Sequence, residues 1–259
     1  MRVTIDLKKS VEENAGVYFE NAKKLKKRIM GAKDALANSL KELEKLNSKR
    51  IKDADSAKTF AARQAKKEWY EKFRWFISSG GFLVVGGRDA TTNEIIIKKH
   101  SEKGDIVFHT DIAGSPFFVV KAEGKAVGEA TLREAADATC SFSRAFKLGF
   151  SGTPVFYASP EQFTKEAPTG EYLTKGSFVT KGKTTYIENK INIAIGITKE
   201  LRVMAGPVEA VKANCEKFVE IAQGSDKTSS IAKFIQKKIG GEIDEIIRAL
   251  PSGGSRIKK

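Results

Sequence analysis

The chain has 259 residues, of which 41% are hydrophobic, enough to build a core in one medium domain with an appendage or in two small domains. Its formal net charge of +14 is unevenly spread: residues 1–75 hold 20 basic and 11 acidic side chains, residues 76–197 hold 14 and 13, and residues 198–259 hold 12 and 8. No apolar run approaches the ~20 residues of a membrane span, "MRVTIDLKKSVEEN" lacks the apolar stretch of a secretory signal, and Cys140 and Cys215 fit neither a disulfide framework nor a zinc spacing, so a reducing, cytoplasmic setting is expected. Basic charge gathered at the two ends points to an extended polyanion, nucleic acid first. Ordinary solvation of an exposed helix gives the same excess.

In chain order, the first signal is a stripe at 3,4 spacing: Val11, Ala15, Tyr18, Ala22, Leu25, Ile29, Ala32, Leu36, Leu40, Leu43 and Leu46. Ser10 and Glu13 match a capping box and place the helix start. "NSKRIKDADS" interrupts the stripe, and a second helix runs through Ala57, Phe60, Ala61, Ala65, Glu68 and Trp69, which together predict an antiparallel coiled-coil hairpin over residues 1–74. From Phe73 the period changes. "FRWFIS", "FLVV", "EIIIKK", "DIVFHTD" and "PFFVVKA" are short, aromatic and β-branched runs that predict antiparallel strands, the first two joined by "SSGG". "TLREAADATCSFSRAFK" predicts a helix opened by a Thr131–Glu134 capping box. "PVFYAS" and "NIAIGI" predict buried strands, and "SFVTKGKTTYIE" a hairpin turning at Lys181-Gly182-Lys183. Beyond residue 197, "LRVMAG" reads as a strand, Pro207 to Val219 as a helix, "SSIAKFIQKKIG" and "EIDEIIRAL" as two more, and "PSGGSRIKK" as a frayed end. The expected architecture is α+β: a helical hairpin (1–74), a largely antiparallel sheet domain (75–197) and a small α/β extension (198–259).

Four stretches carry candidate chemistry. "KKLKKR" puts Lys23, Lys24, Lys26, Lys27 and Arg28 on one helix, either along phosphates or as lysine stems shielding a thin coiled coil. "VVGGRDATTNE" has neither the spacing of a nucleotide phosphate loop nor that of a dinucleotide loop. Read as a hairpin connection before a strand, it uses Gly86 and Gly87 for unusual torsions and sets Arg88 and Asp89 at a loop tip, as an ion pair or with Arg88 offered to phosphate. In "FHTDIAG", His109 and Asp111 are two apart on a strand and share one face. With His100 the only other histidine, neither a metal set nor a catalytic triad is expected. "KEAPTGEYLTKGSF" sets a Pro168-Thr169-Gly170 turn among Lys165, Lys175, Lys181 and Lys183, with Tyr172 and Phe178 interleaved, a pattern that suits stacking and phosphate contact as well as a pinned surface loop. Asn93, Lys98 and Lys99 complete the candidate RNA contacts.

"KFRWFISSGGFLVVGGRDATTNE", "KGDIVFHTDIAGSP", "TLREAA" and "KEAPTGEYLTKGSF", in this order, resemble the RNA-binding NFACT-R domain of the NEMF/RqcH family of ribosome-quality-control factors, older members of which are called fibronectin-binding proteins. The likeness covers about residues 73–197. Upstream, "IDLKKSVEENAGVYFENAKKLKKR" is similar to the family's coiled-coil middle segment. The resemblance implies binding to obstructed large ribosomal subunits that carry peptidyl-tRNA, with contacts to tRNA and ribosomal RNA. In full-length members it also implies tRNA recruitment for untemplated tail addition, and in eukaryotic members help to a ubiquitin ligase. Two departures stand out. The family's N-terminal half, with the Asp-Arg motif that tailing depends on, is absent from this sequence, so the chain alone is not expected to support tailing, and the coiled coil is expected to meet that half or a partner protein. The usual "HADxHG" reads "HTDIAG", with Ala113 in place of the second histidine. No cofactor, metal, membrane partner or enzymatic activity is expected. The competing classes are a protein-interaction or fibronectin-binding-like adhesion module, and an accessory RNA-modification protein acting through His109, Asp111, Arg88 and Glu171.

Overall fold

A computed structural model describes residues 3–64, 67–166 and 172–258, with the side chains of 47–64 outside the description. The chain divides into two compact units, Met1–Lys67 and Glu68–Lys259.

The first unit is one helix, α1 (Val11–Gln64), preceded by a short extended segment. The expected capping box forms: Ser10 N–H donates to Glu13 Oε2 at 2.8 Å, and Glu13 N–H to Ser10 Oγ at 3.2 Å. The entering segment is pinned by Asn14 Oδ1, which accepts from Asp6 N–H, and by the Tyr18 hydroxyl, which donates to Thr4 O. The expected hairpin does not form, because α1 runs without a break through 47–56. That stretch contains no Pro or Gly, and each Asn, Ser or Asp costs a helix only a few tenths of a kcal/mol up to ~0.7 kcal/mol. The apolar seam of α1, including Leu25, Ile29, Leu36, Leu40 and Leu43, lies exposed. Trp69 is not part of a helix from that unit. It belongs to a 3-10 turn, Trp69–Lys72, and stacks on His100 with ring centroids 4.3 Å apart.

The second unit is built on a six-stranded antiparallel sheet in the order β1-β2-β4-β3-β5-β8. Its strands are β1 (Arg74–Ile77), β2 (Leu83–Gly86), β3 (Ile106–Thr110), β4 (Phe118–Val120), β5 (Val155–Ala158) and β8 (Thr185–Ile187). Two more strands, β6 (Phe163–Thr164) and β7 (Val179–Thr180), pair only with each other. The expected Lys181–Lys183 hairpin is therefore a crossing point, with β7 going to β6 and β8 to the edge of the main sheet beside β5. Both faces of the main sheet are buried, and the period-2 alternation sorts its side chains. Val84, Phe108, Phe118 and Val120 face one core with Phe76, while Val85, Val107 and Val119 face another with Phe73 and Phe117.

The helices cover these faces. α2 (Ala90–Lys99) supplies Ile96 and Ile97 to the second core. α3 (Glu129–Ser141) and α4 (Arg144–Leu148) lie over the first. α3 begins at Gly128, ahead of the expected box. Thr131 and Glu134 are spent on the β1–β2 turn instead: Thr131 Oγ1 bonds Ser78 Oγ at 3.0 Å, and Glu134 Oε2 accepts from Ser79 N–H at 2.9 Å.

A four-stranded antiparallel sheet, β10-β9-β11-β12, shares the first core. Its strands are β9 (Ile193–Thr198), β10 (Val203–Gly206), β11 (Cys215–Asp226) and β12 (Ser255–Ile257). The expected helix to Val219 stops early: α5 is Val208–Asn214, and "CEKFVEIAQGSD" continues as β11, whose Val219 and Ile221 are buried while Glu216, Lys217 and Asp226 are exposed. The C-terminal residues are not frayed, because β12 pairs with β11. α6 (Thr228–Ile239) and α7 (Ile243–Ala249) pack as expected. The residue 197/198 boundary falls inside β9, which pairs with strands to its C-terminal side. Cys140 and Cys215 are buried free thiols, and burial pushes both up to about 12, so neither is a thiolate at neutral pH.

One buried ion pair fastens the β3–β4 region. Lys121 and Asp105, 9% and 4% exposed, meet at 2.5 Å. Asp105 also accepts from the N–H groups of Glu102 and Ala122, and Lys121 donates to His100 O. Losing one partner strands the other charge out of water. Asp105→Ala is expected to cost about 3–5 kcal/mol in urea denaturation; a cost below about 1 kcal/mol would show that the pair is solvated and dispensable.

Candidate nucleic-acid interface

The β2–α2 junction answers what "VVGGRDATTNE" does. The apolar run "EIII" is not a strand but the body of α2, and Asp89 is its N-cap. The Asp89 carboxylate accepts from Thr92 N–H at 2.8 Å and from the Thr92 hydroxyl at 3.0 Å, while Thr92 Oγ1 accepts from the N–H groups of Arg88 and Asp89. These bonds hold the Asp89 carboxyl below the usual carboxylate range. Asp89 thus spends its charge on the helix start, not in an ion pair buttressing Arg88. The glycines are needed for space rather than torsion. Neither adopts positive φ, but a Cβ on Gly87 would overlap Asn93 Oδ1 and one on Gly86 would overlap the Phe118 ring.

Asn93 is buried and structural. Its Oδ1 accepts from Phe117 N–H at 3.1 Å, its Nδ2 donates to Ser115 O at 3.2 Å, and Gly87 N–H donates to Phe117 O at 3.0 Å. The start of α2 is clamped in this way to the segment leading into β4. On the far side, the Thr174–Phe178 loop closes against α2, with Gly176 at φ +82° and so near Ala90 that a Cβ on it would overlap the Ala90 backbone.

These pieces enclose a cavity of about 450 Å³. Its lining includes Arg74, Arg88, Lys175, Asp89, His109, Phe117, Phe142 and Phe178, so three cationic side chains face one acidic one. Arg74 opens β1 and is 9% exposed. Its guanidinium lies 4.3 Å over the Phe142 ring and donates through Nη1 to Leu250 O at 3.2 Å. Burial, then the charge of Arg88, pushes Arg74 down to about 9, which leaves it protonated at neutral pH. Burial and the charge of Arg248 also lower Arg88, against the opposing pull of Asp89 and Glu245. The buried Arg88 Nε has no hydrogen-bond partner. Clustered cations of this kind make a ready anion site.

The other expected contacts divide. His109 lines the cavity, stacked on Phe117 at 4.0 Å, and burial drives it down to about 4. It is neutral at pH 7 and offers an aromatic face rather than a charge. Asp111 does not join it in the cavity; it accepts from the Tyr186 hydroxyl at 3.2 and 3.3 Å. Lys98 and Lys165 are paired with Glu94, and Lys181 with Glu166. Lys165 also sits 4.5 Å over the Phe178 ring. Lys99 and Lys183 are exposed and away from the cavity lining. Lys23, Lys24, Lys26, Lys27 and Arg28 are all exposed on α1. The Pro168-Thr169-Gly170 turn and Glu171 lie outside the described residues. Sequence reasoning missed Arg74, Phe142 and Ser252, which reach the cavity from β1, the end of α3 and the C-terminal segment. Only the tertiary fold joins them. No group of three or more potential metal ligands occurs among the described residues, and no described helix is long and apolar enough to cross a membrane.

Residues 72–182, which contain all but one of these cavity residues, match the NFACT protein RNA binding domain family. The archaeal Rqc2 homolog aRqcH of Methanocaldococcus jannaschii is 39% identical over 201 residues, covering 75% of this chain and 30% of its own length. The chain belongs to the NEMF/RqcH family. The ribosome quality control complex subunit NEMF of Homo sapiens is 35% identical over 175 residues, 67% of this chain and 16% of that protein. The NEMF/RqcH chain described here therefore spans less than a third of the length of these relatives. Among solved structures, the C-terminal part of the fibronectin/fibrinogen-binding protein of Streptococcus suis aligns with a TM-score of 0.39 at 18% identity, covering 48% of this chain and 47% of that one. Within this NEMF/RqcH chain, Ala113 lines the same cavity as His109, and Gly114 beside it takes φ +83°.

The depressed His109 fixes a pH window. Between its ordinary value of 6.5 and its folded value of about 4, the unfolded chain binds the proton that the folded chain refuses. Its contribution is therefore intact above 6.5 and is lost as pH falls toward 4. Comparing the denaturation free energy of the wild type with that of His109→Phe across this range is expected to show a steeper acid loss in the wild type. Parallel curves would place His109 in contact with water.

Proposed function

We propose that this chain is an RNA-binding module of a ribosome-quality-control factor, contacting tRNA and the ribosomal RNA of the large subunit on stalled nascent-chain complexes in the cytoplasm. The reading is carried by one coincidence: the region matching an RNA-binding family is also the region whose cavity gathers Arg74, Arg88 and Lys175. The names of the relatives, an archaeal Rqc2 homolog and the human ribosome quality control complex subunit NEMF, supply the setting. On this reading the module acts by binding: His109, buried and stacked on Phe117, offers the cavity an aromatic face.

The exposed lysines of α1 add a second, sequence-independent surface for phosphates. The exposed apolar seam of the same helix suits a partner helix, from another protein or from the N-terminal half of a longer one. The older family name, fibronectin-binding protein, motivates the competing adhesion reading. Binding to immobilised fibronectin together with failure to bind RNA would replace the present one.

Affinity for tRNA and for purified large subunits is expected to fall about 100-fold between roughly 50 and 200 mM salt, as release of counterions from about four phosphate contacts requires. Filter binding across that range checks it, and a flat response would remove the phosphate contacts. Replacing Lys23, Lys24, Lys26 and Lys27 with Gln is expected to flatten the slope of log affinity against log salt by up to about 4 without lowering the thermal midpoint of the second unit. An unchanged slope would assign α1 to spacing or to protein contact.

A further inference from the structure

We infer that the Arg88 cavity is a pocket for one unpaired nucleotide of a single RNA strand, its phosphate held between Arg88 and Lys175 and its base or ribose set against Phe117 and Phe178. The inference rests on the RNA-binding reading and says which form of RNA this site takes.

Three observations lead there. The first is an excess of positive charge with an unmet donor. Arg74, Arg88 and Lys175 line the cavity against the single carboxylate of Asp89, which already accepts from Thr92, and the buried Arg88 Nε has no hydrogen-bond partner. An anion brought to this point satisfies a donor that the protein leaves unmet. The helix N-terminus is not what attracts it, because the Asp89 carboxylate already caps that end. The second is shape. A concave space of about 450 Å³ matches the ~300–1,000 Å³ of small-ligand pockets. A duplex presents its phosphates on a convex rod and buries its bases, so it can rest on the rim but cannot enter. A nucleotide turned out of a single strand can, as single-stranded recognition requires. The third is the mixture of walls. The cations Arg74, Arg88 and Lys175 are interleaved with the rings of Phe117, Phe142 and Phe178, Arg74 lying over Phe142 itself. That mixture of cations and aromatic rings is the composition of single-strand binding sites.

The experiment uses the full chain and three probes: a short unstructured single-stranded RNA, a hairpin duplex of equal length, and free adenosine 5′-monophosphate. The single strand is expected to bind at least about tenfold more tightly than the duplex. Arg88→Gln is expected to reduce single-strand affinity by about 10- to 100-fold, the range for a lost charge-assisted hydrogen bond, while changing duplex affinity less than about twofold. Lys175→Gln, on an exposed side chain, tests the same contact without touching the core and is expected to act in the same direction. The thermal midpoint of each variant checks folding. Equal binding of strand and duplex, both unaffected by Arg88→Gln, would overturn the pocket while leaving RNA binding intact. Failure of both RNAs to bind the wild type would overturn the RNA reading itself. Stabilisation by adenosine 5′-monophosphate with no preference for the strand would replace the strand by a free nucleotide.

Discussion

The buried amide of Asn93 is the contact on which the site depends. One side chain bonds both Ser115 O and Phe117 N–H, and so locks the first turn of α2 to the segment that leads into β4. Gly87 makes that approach geometrically possible, since any Cβ there would occupy the place of Asn93 Oδ1. Once the turn is clamped, Asp89 can cap α2 and Arg88 can project into the cavity rather than fold back on its neighbour. An Arg-Asp dipeptide usually invites a local ion pair. Here the backbone direction separates the two charges, one to the helix end and one to the cleft, and this separation leaves the cavity positive.

Holding one guanidinium group out of water and a second half-buried beside it is costly, and the fold offsets the cost unevenly. Arg74 has compensation: the face of Phe142, the carbonyl of Leu250 and a place at the edge of the larger core. Arg88 has the opposite charges of Asp89 and Glu245 set against that of Arg248, and its buried Nε has no hydrogen-bond partner. A buried donor left without a partner is expensive, so such a group usually marks a strain reservoir or a ligand site. The asymmetry assigns roles. Arg74 is the fixed background charge, and Arg88 is the group with unspent hydrogen-bonding capacity. The C-terminal segment takes part through Leu250 and Ser252 and is held in place by the pairing of β12 with β11, so the 198–259 region is not an addition to a finished domain.

Much of this was readable in the sequence where one local pattern determined one outcome. Alternating aromatic and β-branched runs gave β1 to β5 and β9, and the reciprocal Ser10–Glu13 pair gave the start of α1. The misreadings fall where two patterns compete. "EIII" is a short apolar run that periodicity alone cannot assign, and only Asp89 and Thr92, a capping pair with Thr in place of the usual Glu, tip it to helix. "PVEAVKANCEKFVEI" carries a helical stripe in its first half and a strand alternation in its second, and the change of period at Cys215 is easily averaged away. In "NSKRIKDADS", polar residues of modest propensity looked like a break, yet nothing in them forbids a helix. The charged cavity was half legible. Arg88, His109 and Lys175 lie in conspicuous motifs. Arg74 sits in a strand read for its aromatics, and no sequence spacing relates it to Phe142 or Ser252.

The charge map then separates into two kinds of positive surface with different physics. The lysines of α1 are exposed, so salt screens them and they discriminate little between one phosphate backbone and another. In the cavity Arg74 is buried and Arg88 half-buried, beside a segment, 76–197, whose net charge is close to zero, so their field is local and less screened and is felt most by a group small enough to enter. A near-neutral domain carrying one concentrated cationic pocket gains selectivity that a uniformly basic domain of equal charge would lose to competition from every passing polyanion. The near-neutrality of the 76–197 segment thus confines the positive field to the cavity.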